Sequence, residues 1–173
     1  YSVRRLEIWA TLEGEVRQGV WSGAAMDGDF DNPQNWENNQ IPAEGANIDF
    51  SATAPNTTIS VTGASAGRKF GTATMGASVV TFTGNIAFAG ITDTSKIAVG
   101  SNSTVTLDGD LVFSGSSNQY VVNTVAAGGR FVVTGRIEAS SQMTGGQVFQ
   151  YVNPGEGAVQ AKGLVANEGT SDE

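Results

Sequence analysis

Between Val79 and Gly135 apolar and polar positions alternate in short runs, and one phrase recurs. Thr81-Phe82-Thr83-Gly84-Asn85-Ile86-Ala87-Phe88-Ala89-Gly90 is followed by Thr106-Leu107-Asp108-Gly109-Asp110-Leu111-Val112-Phe113-Ser114-Gly115. Val132-Val133-Thr134-Gly135-Arg136-Ile137 is a third, shorter copy. Aligning Gly84, Gly109 and Gly135 gives a period of about 25 residues, inside the range that marks solenoids and stacked arrays. Each copy predicts strand, bend, strand. No single copy can bury its own apolar face, so stacked copies make the core. The predicted fold is all-β, a short right-handed parallel β-helix or β-solenoid with Phe88, Phe113 and Ile137 in register. The alternative is an antiparallel β-sandwich that assembles by strand donation, since repeats of this length also suit paired hairpins.

The flanks carry other patterns. Over residues 4–17, Leu6, Ile8, Ala10, Leu12 and Val16 fall on one side of an extended chain, and Arg5, Glu7, Thr11, Glu13, Glu15 and Arg17 on the other. Period-two alternation predicts a strand. A helix is the rival, because Val3, Leu6, Trp9 and Leu12 recur at threes. Such an arm either docks on its own domain or adds to a neighbour's sheet, which makes Leu6, Ile8, Trp9 and Leu12 candidate assembly residues. Residues 19–50 are dense in Asp, Asn, Gly and Pro, the residues of successive Asx turns. Trp21, Phe30 and Trp36 within that segment need burial, and the open end of a solenoid offers it. The chain thus divides into an extended arm (1–18), a turn-rich cap with Trp21, Phe30 and Trp36 as its core (19–50), solenoid repeats (51–165) and a polar tail (166–173). Further strands are predicted at Thr57–Gly63, Phe70–Met75, Gln147–Val152 and Ala158–Val165.

Trp21-Ser22-Gly23, Phe30, Asn32-Pro33, Asn35-Trp36, Pro42 and the Ile48-Asp49-Phe50 run together resemble the opening module of bacterial surface proteins with autotransporter-associated β-strand repeats. The resemblance covers residues 20–50, and the later repeats agree in style. It implies an extracellular, parallel β-helical passenger of a cell-surface protein. Where that family carries Asp after the proline, this chain has Asn47.

Composition narrows the function. Charged residues are 15% of the chain, against about a quarter in typical domains, and the net charge is -8. Most carboxylates fall in residues 1–50, while 51–135 is close to neutral. An acidic chain argues against nucleic acid or anionic lipid as partners, since both need a basic face. No apolar run of about 18 residues is present to insert in a membrane. Cysteine is absent, so no disulfide framework forms. The opening at Tyr1 suggests a piece of a longer precursor. The expected partners are further copies of the chain or neighbouring domains.

Candidate chemistry is sparse. Asp27-x-Asp29-x-Asp31 resembles the start of a calcium loop, but Asn32 and Asn38 stand where an EF-hand needs Gly and Glu. A looser calcium site and a chain of Asx turns are the two readings. Asp108 and Asp110 flank Gly109, and paired carboxylates on a solenoid face suit glycan binding or general acid–base cleavage of a polysaccharide. Asp-Gly is equally a turn signal. Histidine is absent, which removes Ser-His and His-zinc chemistry. Asn56-Thr57-Thr58 and Asn102-Ser103-Thr104 match the glycosylation acceptor, and Gly128-Gly129 lacks the Lys-Ser/Thr of a phosphate loop. The function expected is an extracellular structural or adhesive module that self-assembles, with no catalytic residues. The alternative is a glycan-binding or glycan-cleaving module.

Overall fold

In a computed structural model the described residues are 17–113, 122–139 and 157–166. The arm with Leu6, Ile8, Trp9 and Leu12, the strand expected at Gln147–Val152 and the tail beyond Ala166 lie outside them. Among the described residues eleven strands follow in chain order: β1 (Gln18–Val20), β2 (Asn47–Phe50), β3 (Thr58–Val61), β4 (Lys69–Met75), β5 (Val80–Thr92), β6 (Ile97–Val99), β7 (Thr104–Leu107), β8 (Leu111–Phe113), β9 (Thr124–Val125), β10 (Arg130–Ala139) and β11 (Ala158–Ala166). All of their pairings are parallel. The main sheet runs β1-β2-β4-β5-β7-β10-β11, while β3, β6 and β9 build a second face on the first half of β5. The sheet curls into a half-barrel, the architecture of a short parallel β-solenoid. An antiparallel sandwich is ruled out by these pairings; among the described residues antiparallel geometry occurs at the isolated Trp21–Trp36 bridge.

Long strands serve two faces by bending. β5 bends at Gly84, whose φ of 84° belongs to the left-handed region that glycine enters without penalty. A Cβ there would also run into the Val61 carbonyl of the coil below. β10 bends through a register shift between Val133 and Arg136. At a further corner, Asn102 and Gly128 take φ values of 52° and 70°, two residues ahead of β7 and β10.

Inward positions stack coil upon coil. Phe70, Phe88, Leu107 and Val133 are successive partners, and none is more than 3% exposed. Ile59, Phe82, Val99 and Val125 do the same on the second face and are equally buried. Between the faces Phe82 meets Phe50 at 5.3 Å and Phe88 at 5.9 Å between ring centroids.

The register corrects the repeat alignment. Gly109 and Gly135 do stack, with the Gly135 amide donating to the Gly109 carbonyl at 2.9 Å, and Leu111 and Phe113 pair with Ile137 and Ala139. Gly84 does not join them, because Phe88 partners Leu107 and Gly84 partners Val61. The step from Phe88 to Leu107 is 19 residues, and from Leu107 to Val133 it is 26. The coils differ where the chain crosses to the second face. Four residues, Asp93 to Lys96, join β5 to β6, and ten separate β8 from β9. A spacing of glycines is blind to that, since crossings change length without disturbing the ladders.

Phe82→Ala should cost about 3–5 kcal/mol in urea unfolding. The same truncation at Met26, 93% exposed, should stay within about 0.5 kcal/mol.

Candidate functional site

The cap is an aromatic wedge on the first coil. Trp21 and Trp36 meet edge to face at 5.1 Å, and Phe30 lies 4.8 Å from Trp36. The Trp36 indole Nε1 donates to the Phe30 carbonyl at 2.9 Å, and Phe30 rests on Phe70 at 5.2 Å. All three cap residues are 2% exposed or less, as the segment's need for burial predicted.

The acidic run around this wedge closes turns. Asp27 Oδ1 accepts from the Asp29 amide at 3.0 Å, and Asp29 Oδ1 from the Asp31 amide at 2.9 Å. Asp27 also takes Asn35 Nδ2 at 2.6 Å and Asn32 Nδ2 at 2.7 Å. Asp31 turns to another coil, where it receives Ser65 Oγ at 2.6 Å and the Ser65 amide at 3.1 Å. The three carboxylates therefore diverge, and among the described residues no group of three acidic, His or Cys side chains is placed to hold a metal ion. Each calcium candidate is an Asx-turn or strap residue. Beside them a half-open groove of about 330 Å³ is lined by Trp21, Ser22, Met26, Asp27, Ala54 and Thr57, among others.

The polar centre of the cap is Asn35, which the sequence marks through the Asn35-Trp36 resemblance but not as a buried residue. It is fully buried; its Nδ2 also donates to the Asp29 carbonyl at 2.9 Å, and its Oδ1 accepts from the Ala25 amide at 3.0 Å. Asn47 performs a coil-to-coil task, accepting from the Thr72 amide at 2.8 Å. A carbonyl oxygen suffices for that bond, so the position does not need the charge of an Asp.

Asp108 and Asp110 are exposed on the main sheet and acquire separate partners. Asp108 Oδ2 meets Lys69 Nζ at 2.5 Å, and its Oδ1 accepts from Thr134 Oγ1 at 2.9 Å. Asp110 Oδ1 accepts from the Arg136 amide at 2.8 Å. Lys69 lies 39 residues away in sequence. It reaches Asp108 across the intervening coil, where its own strand partner is the small Ala87. Aromatic side chains are not among these partners. The pair joins three coils instead of converging on one reacting atom, although being exposed it adds little stability.

Charge states follow from these bonds. The Asp29 amide, then Asn32 and Asn35, hold the Asp27 carboxyl below its ordinary value of 3.8. The Lys69 hydrogen bond, then Thr134, lowers Asp108, and the same contact raises Lys69. A depressed carboxylate contributes stability above its unfolded value and loses it as pH falls through its folded value.

Compared with known proteins, the chain matches no family model, no curated protein and no solved structure.

Three outcomes are expected. Acidification from about pH 5 to about pH 2.5 should lower the melting temperature, and Asp27→Asn should flatten that fall by removing one titrating group. Asn35→Leu should cost about 1–3 kcal/mol in chemical denaturation, because it leaves the Ala25 amide without its side-chain partner and removes one of the bonds to the Asp27 carboxylate. Millimolar calcium should leave the melting temperature unchanged, whereas a rise would show that the three carboxylates converge on an ion.

Proposed function

We propose that the chain is a structural or adhesive module of an extracellular bacterial surface protein, a short rod with an aromatic cap at its first coil. The observation that carries this reading is the use made of the outward side chains. Asn47, Asp31, Asp108 and Asp110 each bond a neighbouring coil, so polar groups that could meet a substrate are engaged between coils. The resemblance over residues 20–50 supports the same setting, since Trp21, Phe30 and Trp36, which it includes, form the buried cap core. Further copies of the chain or adjoining domains are the expected partners. Catalysis is not part of the proposal.

A glycan-binding role at Asp108 and Asp110 is the second reading, favoured by their exposure on one sheet. Lys69 already occupies Asp108, which counts against it.

Antibody labelling of intact cells of the organism that encodes the chain tests the first reading. Surface staining removed by external protease is expected, and signal confined to permeabilised cells would overturn it. Titration with bacterial polysaccharides separates the second, because binding abolished by Asp108→Ala would favour the glycan role.

A further inference from the structure

The cap leaves one strong donor unused. Trp21 is 2% exposed, yet among the described residues its indole Nε1 meets no acceptor. The Trp36 indole, by contrast, is bonded to the Phe30 carbonyl at 2.9 Å. A buried N–H without a partner is costly, and Trp21 avoids that state by presenting its N–H to the groove beside the Asp27–Asp31 run. Among the described residues the sealed, unpartnered side-chain atom is Thr53 Oγ1, not Trp21 Nε1. Gly23 keeps the way open. It lines the groove with Trp21, it sits at a φ of 63°, and a Cβ there would stand 3.2 Å from Nε1. The rest of the indole belongs to the core, with Trp36 at 5.1 Å and Phe30 and Phe50 at 6.4 Å. The groove therefore meets Trp21 as a hydrogen-bond donor and not as a stacking platform.

The other groups around the groove define what would satisfy it. Asp27 is exposed there, and its Oδ2 takes Asn32 Nδ2, which leaves acceptor capacity on that oxygen. Met26, 93% exposed, adds an apolar rim. A ligand must accept from Trp21 and donate to Asp27. An ammonium group cannot accept; a carboxylate cannot donate and is repelled by Asp27. A hydroxyl does both. The volume of about 330 Å³ lies at the low end for small-molecule sites, which suits one ring. An extended peptide is disfavoured, because the β3 backbone beside the groove is already engaged. The Ser60 amide donates to the Gly28 carbonyl at 2.8 Å, and the Phe30 amide to the Ser60 carbonyl at 3.0 Å, so strand addition is blocked there.

We propose that this cap groove binds the terminal ring of a neutral saccharide, whose hydroxyls accept from Trp21 Nε1 and donate to Asp27 while its C–H face lies on Met26. The site is separate from Asp108 and Asp110 on the main sheet. It gives the adhesive side of the function above a ligand class and rests on that reading. Binding is measured on the chain itself, so its failure leaves the surface-module reading to be decided by labelling intact cells.

Nuclear magnetic resonance of the isotope-labelled full chain tests it. The Trp21 indole N–H signal, assigned by comparison with a Trp21→Phe chain, is followed while methyl glucoside, methyl galactoside, methyl mannoside or N-acetylglucosamine is added. At least one should shift that signal saturably. Ala54→Tyr, which fills the groove from an exposed position, should abolish the shift and leave the melting temperature unchanged. Asp27→Asn should weaken binding about tenfold, as expected for one charge-assisted hydrogen bond. Absence of a shift with all four sugars, a shift that survives Ala54→Tyr, or a preference for galacturonate over the galactoside would each overturn the site. A response to N-acetylglycinamide in place of the sugars would overturn it too and assign the groove to peptide.

Discussion

An inward side chain in this fold is covered above and below by the coils on either side of its own. Phe88 is covered because Phe70 lies on one side and Leu107 on the other, and Phe82 because Ile59 and Val99 do the same. Burial is therefore a property of the stack, as expected where each repeat contacts only its neighbours. Parallel ladders follow directly, since every coil must advance in the same direction for like positions to superpose. The ends are the exception to the rule, and the chain treats them explicitly. Trp21, Phe30 and Trp36 complete the first coil, and Asn35 ties the Ala25 amide and the Asp29 carbonyl of this turn-rich wedge together.

The same constraint explains why chemistry is sparse on the outside. Outward side chains sit about one strand spacing from their counterparts on the next coil. Polar groups at that distance find each other before they find a ligand. Thr134 and Asp108, Asp110 and the Arg136 amide, and Asn47 and the Thr72 amide all bond between coils. Lys69 spans two coils because small Ala87 lies between. The stack fixes the ladders but leaves the crossings free, so a four-residue turn from Asp93 to Lys96 and a ten-residue connection after Phe113 serve neighbouring coils.

This division decides what could be read from the sequence. Strand identity was legible, because alternation at Thr58–Val61, Lys69–Met75 and Ala158–Ala166 is a local property. So was the aromatic cap, because Trp21, Phe30 and Trp36 cannot remain exposed together in a turn-rich segment. The bend at Gly84 was visible as a glycine, but its partner was not. Matching it to Gly109 assumed coils of equal length, and the pairing of Phe88 with Leu107 shows they are unequal. The Asp27–Asp31 run was legible as Asx turns, and Asp27 and Asp29 do cap the amides two residues on. The strap from Asp31 to Ser65 and the Lys69–Asp108 pair were hidden, because each depends on how many residues intervene in a coil. Asn35 was hidden for another reason: its burial is set by the tryptophans around it and not by its own neighbours in the chain.

Register is the most direct point of attack, and the absence of cysteine makes it accessible. Partners on adjacent strands lie within the Cα separation a disulfide spans. Cysteines at Ala87 and Thr106, which face each other across β5 and β7, should form an intramolecular disulfide rapidly and without loss of melting temperature. A pair at Ala87 and Val112, which equal coils of about 25 residues would bring together, should not. Ready oxidation of the second pair and failure of the first would contradict the stacked register on which the cap and the ladders both depend.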